Sequence, residues 1–290
     1  MKTMSRETTE EELEALYRVI HFIRQSETDE NLMSTIFPVS EQSSMYKDNE
    51  VLPELSLPDF VQMKLTFAYG HLAAFARWLG VEGDPEVHSI QALPFGGYAL
   101  LRPVLECAGE ALWVMKPENR QTRLRRRLTA QADEIVNAAR FLKDSNSRNQ
   151  AQVNQKIAKL DNIADRLKLG QKGWSPWKDS MTDKRESKHT PISNMLTEVE
   201  SMRDSEKLGF ESTTSWSASW RACSGATHGQ SWPITTLNEA ISVPGTRKGH
   251  SVEHNIFAKF ESLALVTHAS CDLLATAFDR ADGLANHLRK

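Results

Sequence analysis

The chain has 290 residues, of which 40% are hydrophobic and 25% are charged, and its formal net charge at pH 7 is −3, a balance typical of a soluble globular protein. Its three cysteines are widely spaced, which excludes a disulfide framework and a zinc-binding spacing. The N-terminus lacks the apolar core of a signal peptide, and no run of residues is apolar enough to span a membrane, so we expect a cytoplasmic protein.

The N-terminal region predicts a helix followed by irregular chain. Thr8 and Glu11 are spaced as a capping box at the start of a helix over residues 8–26. One face of this helix is apolar and comprises Leu13, Leu16, Tyr17, Ile20 and Ile23. The following polar residues have no sustained period and contain prolines, which is typical of a linker. We therefore predict an acidic helix plus linker over 1–56 and a helical bundle over 57–290.

Helical periodicity also dominates the rest of the chain. The predicted helices, bounded mainly by glycine and proline, cover residues 58–79, 90–115, 117–144, 150–169, 192–207, 215–228 and 251–288. Residues 170–191 predict a loop, and residues 234–249 predict either two short strands or a loop. Other strand patterns are almost absent. The fold class predicted is all-α, a bundle of long amphipathic helices with little or no β structure.

The segment WRACSGATHGQSW, residues 220–232, carries the first candidate site. Arg221 and His228 share one helix face, roughly 10 Å apart along the axis, with Ser224 between them. A guanidinium can clamp a phosphate and an imidazole can transfer a proton, so this face has the parts for RNA cleavage without a metal. Arg221 would stabilise the phosphate, His228 would act as acid or base, and Ser224 would position the substrate. A histidine followed by a glycine is also an ordinary helix end, so the alternative that His228 and Gly229 only terminate the helix stays open.

A second candidate lies in ALLRPVLECAGEALWVM, residues 99–115, where Arg102 and Glu106 stand four residues apart in an otherwise apolar helix. Charges in such a helix cost free energy unless they are paired. The pair is therefore either an internal salt bridge that fixes the bundle or a supporting layer beneath the first site. In the second case Glu106 would orient His228 or pair with Arg221.

The arginine run RQTRLRRRL is the third candidate. Arg120, Arg123 and Arg127 line one helix face, which predicts contact with a nucleic-acid backbone or, as the alternative, a solvated basic face. His250 and His254 have helical metal-ligand spacing but no third ligand, so we predict no metal. No phosphate-binding glycine loop or dinucleotide fingerprint is present in the sequence, and we predict no cofactor.

Two segments together resemble a known family. WRACSGATHGQSWPI is similar to a Tyr/Trp–Arg–x–x–Ser–Gly–x–x–His–Gly stretch of helical actinobacterial proteins, and LLRPVLECAGEALWVMKPENRQTRLRRRL is similar to their Arg–Pro–x–x–Glu segment with its arginine-rich helix. That group resembles the HEPN superfamily of nucleotide-binding helical domains. The resemblance covers residues 95–290 and places Arg221 and His228 at the superfamily's motif positions.

The HEPN resemblance implies an all-helical, usually dimeric and metal-independent ribonuclease, of the kind found among toxins and phage-defence effectors. It also implies RNA, a second copy of the chain and a neutralising protein as partners. Ala222 departs from the pattern, because active members often carry Asn, Asp or His directly after the arginine. A non-catalytic module that binds RNA, a nucleotide or a protein is therefore the alternative. A third, purely structural interpretation predicts that Arg221 and His228 are buried and hydrogen-bonded.

Overall fold

The computed structural model describes Phe37 and residues 39–79, 95–144, 150–169, 191–203, 214–247 and 253–286, together with the isolated positions Thr9, Glu10, Glu14, Tyr17, Ile20 and His21. Helices account for 78% of the described residues, and the fold is all-α as predicted. No helix in these ranges is long and apolar enough to cross a membrane.

Nine helices run through these ranges. They are α1 (Ser44–Val51), α2 (Leu57–Leu79), α3 (Gly96–Met115), α4 (Arg120–Asp144), α5 (Gln150–Arg166), α6 (Ile192–Val199), α7 (Trp216–Thr227), α8 (Ser231–Thr236) and α9 (Phe260–Ala285). Short 3-10 turns lie at Pro53–Leu55 and Glu200–Met202. Two strands, β1 (Asn238–Ser242) and β2 (His254–Ala258), pair antiparallel with Ala240 opposite Ile256.

Helix α3 is the centre of the main core. It packs against α2, α4, α6, α7 and α9, and 12 of its 20 residues are buried. Gly109 allows α6 to approach α3 closely, because a Cβ built there would lie 2.5 Å from Leu196 Cδ2 of α6. Helices α4 and α5 enclose a second, smaller core around Leu128 and Leu160. The central position of α3 fixes the place of its polar residues, including Arg102 and Glu106, relative to the helices around it.

The prediction of an irregular linker is wrong at its C-terminal end. Residues 44–51 form α1, which begins at Ser43, whose Oγ accepts a hydrogen bond from the backbone N–H of Tyr46 at 3.1 Å. Met45 is buried in the main core. Asp48 is fully buried against arginines of α4, so α1 is stabilised by contacts that are distant in sequence.

The N-terminal helix predicted over 8–26 is described only in part. Glu10, Glu14, Tyr17, Ile20 and His21 are helical, and Ile20 is buried in the main core. The remaining residues of the predicted apolar face and the capping box lie outside the described residues. The predicted loop over 170–191 lies outside them as well, except for its last residue.

The last helix begins later than predicted. Residues 254–258 form β2 and pair with β1, so α9 starts at Phe260 instead of residue 251. The first strand falls within 234–249, where two short strands were one of the predicted alternatives, whereas the second lies beyond that segment. The predicted α2 and α7 agree with the structure to within one residue at each end.

Candidate functional site

Helix α7 carries the first candidate site and has well-defined ends. Ser215 Oγ accepts a hydrogen bond from the N–H of Ala218 at 3.0 Å and caps the N-terminus. At the other end Gly229 has φ +64°, and the N–H of Gln230 donates to the carbonyl of Gly225 at 3.0 Å. This is the pattern of a Schellman cap, in which a glycine takes the left-handed conformation. His228 is thus the capping residue just outside the helix, and its position is set by the backbone.

The outer face of α7 presents the predicted residues to solvent. Arg221 and His228 are exposed and Ser224 is half-buried, at spacings that place all three on one side of the helix. The Arg221 side chain has no hydrogen bond or ion pair with the described part of the chain. Ala222, directly after the arginine, is buried. The purely structural interpretation is therefore wrong for Arg221 and His228, because it required both to be buried and bonded.

Arg102 and Glu106 of α3 lie against this face. Arg102 Nε donates to Glu106 Oε1 at 2.8 Å, and Trp220 Nε1 donates to the same oxygen at 2.9 Å. Arg102 Nη1 lies 3.2 Å from His228 Nε2. The interpretation of Arg102 and Glu106 as an internal salt bridge is confirmed, and Arg102 also contacts His228 of the α7 site. That the pair supports a functional site stays a prediction. Arg102 takes the role expected of Glu106, however, because the carboxylate bonds Trp220 while the guanidinium reaches His228.

The contact between Arg102 and His228 assigns the tautomer of the imidazole. A guanidinium carries only donors, so His228 Nε2 must be the acceptor and the ring proton must be on Nδ1. With Nε2 as the acceptor, its lone pair faces Arg102, and the Nδ1–H is left to donate to another group.

The arginine run does not form the predicted nucleic-acid-binding face. Arg123 is 1% exposed, pairs with Asp48 and donates to the carbonyls of Pro117 and Glu118. Arg127 is 6% exposed, with its guanidinium 4.4 Å from the centre of the Phe60 ring. The alternative of a solvated basic face is also wrong for Arg123 and Arg127, because both side chains are buried.

Arg120 is the partly exposed member of this face. Its Nε donates to Asp48 at 2.9 Å, so it shares the carboxylate that pairs with Arg123. Arg120 and Arg123 therefore join α4 to α1. Of the three residues predicted to bind nucleic acid, a phosphate backbone approaching from solvent would reach only Arg120.

A buried polar cluster anchors the N-terminal end of α7 and was missed by the sequence analysis. Asp272 Oδ2 accepts from Arg203 Nε at 2.7 Å and from Trp216 Nε1 at 2.9 Å. Burial raises the pKa of Asp272, and burial likewise raises the pKa of Glu200, which accepts from the backbone N–H of Trp216. An aspartate within the apolar pattern of the last helix was the available signal. The cluster holds α7 against α9.

Metal-binding groups of three or more His, Cys, Asp or Glu side chains are absent from the described residues. His254 lies on β2, with Nε2 3.1 Å from Ser242 Oγ, and His250 lies outside the described residues. Comparisons with protein-family models, curated proteins and solved structures found no match to this chain. The HEPN resemblance therefore stays a prediction, carried by the two sequence segments.

Proposed function

We propose that the α7 face, defined as Arg221, Ser224 and His228 with Arg102 beside the histidine, binds the phosphodiester backbone of RNA and cleaves it without a metal ion. The main support is that the Arg221 side chain is exposed and has no partner within the described residues. It lies on the same helix face as the solvent-exposed imidazole of His228. An unpaired surface guanidinium is free to bind phosphate through two parallel hydrogen bonds. The sequence resemblance supports the same assignment.

The proposed reaction needs one proton acceptor and one proton donor. The ribose 2′-hydroxyl attacks phosphorus, its proton passes to a base, and the 5′-oxygen leaves with a proton from an acid. Arg221 stabilises the charge that grows on the phosphate oxygens. A single His228 offers one imidazole per chain, so two copies meeting in a homodimer would supply the base and the acid together.

Phosphate binding would also free the base. A phosphate oxygen next to His228 competes with Nε2 for the Nη1 donor of Arg102, and a charged acceptor forms the stronger hydrogen bond. Once Arg102 turns to the phosphate, the lone pair of Nε2 becomes available for the 2′-hydroxyl proton. Arg102 is then a positioning residue that links substrate binding to the state of His228.

The test is a cleavage assay on total RNA with excess EDTA, using the wild type, His228→Ala and Arg221→Ala, with a thermal melt of each protein. Both side chains are exposed, so we expect unchanged melting temperatures, cleavage by the wild type alone and weaker RNA binding by Arg221→Ala. Arg166→Ala is the matched control, since it removes an arginine from the surface pair with Glu54. Absence of cleavage and of RNA binding by the wild type would refute the proposal.

A non-catalytic RNA-binding module is the second candidate, and two observations favour it. Nε2 of His228 is already engaged by Arg102, and the residue after Arg221 is the buried Ala222 instead of a polar side chain at the site. In this case RNA binds to the wild type, binding weakens in Arg221→Ala, and the RNA stays intact in every reaction. The same experiment therefore separates the two candidates.

A further inference from the structure

Trp232 lies directly beside the α7 face. A Cβ built on Gly225 would lie 2.6 Å from Trp232 Cζ2 and 2.9 Å from its Cε2, so the indole rests on bare helix backbone. Gly225 is four residues after Arg221 and three before His228, and both are therefore its neighbours on the helix surface. The absence of a side chain at this position lets the ring lie against the helix about one turn from each of the two proposed phosphate-handling residues.

The indole is fixed in orientation and remains partly open to solvent. Trp232 is 41% exposed and is the one exposed tryptophan in the described ranges. Its Nε1 donates to Gln230 Oε1 at 2.7 Å, which satisfies its polar group within its own chain. Pro233, directly after it, is buried and also contacts the Gly225 position. The exposed part of the ring is consequently an apolar surface whose polar group already has a partner.

An exposed aromatic ring beside an arginine that has no side-chain partner in the described ranges suits one class of ligand. Nucleotides combine a phosphate for the guanidinium with a flat base that stacks on an aromatic ring. Base faces are accessible in unpaired strands, whereas a duplex covers them with neighbouring base pairs. Helix α8, with the sequence SWPITT, has no carboxylate that would repel the phosphates.

We propose that the α7 face takes an unpaired nucleic-acid strand, with a base stacked on Trp232 next to the phosphate bound by Arg221. This inference rests on the proposed function and adds the class of substrate. It predicts a preference for single strands over duplex, without preference for a particular base, because every base has a face that can stack.

The test measures fluorescence anisotropy of a labelled single strand carrying 2′-O-methyl groups, which lacks the attacking hydroxyl, and of the matching duplex. Stacking of one base contributes about 1–3 kcal/mol, so Trp232→Ala should weaken single-strand binding by about five- to 150-fold. Trp232→Phe keeps a stacking ring and should retain most of the affinity. Phe67→Ala removes another exposed aromatic side chain, on α2, and should leave binding unchanged.

Gly225→Ala provides a second variant that retains the indole. Its methyl group would occupy the space of the Trp232 ring and displace it, while alanine favours the helix more than glycine does. We expect weaker single-strand binding together with a retained helical circular dichroism spectrum. A loss of affinity in both Trp232→Ala and Gly225→Ala supports stacking at this position.

Failure of this inference can be told apart from failure of the proposed function. If Arg221→Ala loses binding while Trp232→Ala binds the single strand like the wild type, stacking is wrong and phosphate binding stands. Equal affinity for duplex and single strand would also overturn the inference. If Trp232→Ala instead lowers the mass measured by light scattering at unchanged affinity, the ring is a contact between two copies of the chain, which contradicts the proposal.

Discussion

The buried ion pair between Asp48 of α1 and Arg123 of α4 predicts a large effect on stability. Asp48 is 0% exposed and Arg123 is 1% exposed, with Nε–Oδ2 at 2.6 Å and Nη2–Oδ1 at 3.0 Å. Asp48→Asn keeps the shape of the side chain but leaves the guanidinium buried without an opposite charge. Breaking one partner of such a pair costs about 3–5 kcal/mol. The carbonyls of Pro117 and Glu118 still accept from Arg123, so we expect about 3 kcal/mol.

The measurement is the free energy of unfolding from urea denaturation, followed by circular dichroism. Glu54→Gln is the control, because it breaks the exposed pair with Arg166 and should change stability little. The double variant Asp48→Leu with Arg123→Met removes both charges and should recover much of the loss. Equal effects of Asp48→Asn and Glu54→Gln would refute the reasoning that this pair is buried and joins α1 to α4.

Three further predictions concern backbone and burial. Gly109→Ala should lower the free energy of unfolding by about 1–3 kcal/mol, because its methyl group would overlap Leu196. Gly70→Ala is the control and should raise the free energy of unfolding slightly, because its methyl group meets no atom within 4 Å. Equal effects of the two variants in urea denaturation would contradict the close contact between Gly109 and Leu196. Gly229→Ala should lower the free energy of unfolding by about 1 kcal/mol or more in the same assay, since φ is +64° at this residue. An unchanged free energy of unfolding would argue against the glycine cap at the C-terminal end of α7. Burial lowers the pKa of His268, so below about pH 6.5 the unfolded chain binds a proton that the folded chain does not, and stability falls with falling pH. Thermal melts across this pH range should show a smaller fall in melting temperature for His268→Leu than for the wild type. An identical fall in both proteins would exclude His268 as the cause.

The helical class and the bounds of several helices could be predicted from local patterns. In α2 and α7 the apolar residues recur at helical spacing, and Gly229, which is visible in the sequence, ends α7. The pairing of Arg102 with Glu106 followed from their spacing on α3. Their contact with the α7 site was one of two alternatives, because spacing within one helix does not say which helix lies opposite.

Burial set by distant partners could not be predicted. The sequence of α1 is polar and its helix depends on Asp48 meeting arginines 72 and 75 residues away. The same contact turns Arg123 inward, where a local pattern suggested a surface for nucleic acid. Strand β2 was predicted as helix because its pairing with β1 lies outside any local window. The packing of Trp232 on Gly225 could not be predicted either, because local spacing does not show which ring lies against a helix glycine.

The central position of α3 has a consequence for synthesis of the chain. Its apolar surface emerges from the ribosome well before α7 and α9, the helices that cover part of it, have been translated. Until then the nascent chain exposes residues such as Leu105 and Leu112, which are fully buried in the finished protein. Exposed apolar surface of this kind promotes aggregation and recruits chaperones. Chains truncated before α9 should therefore accumulate as insoluble material, even though they contain the whole α7 face.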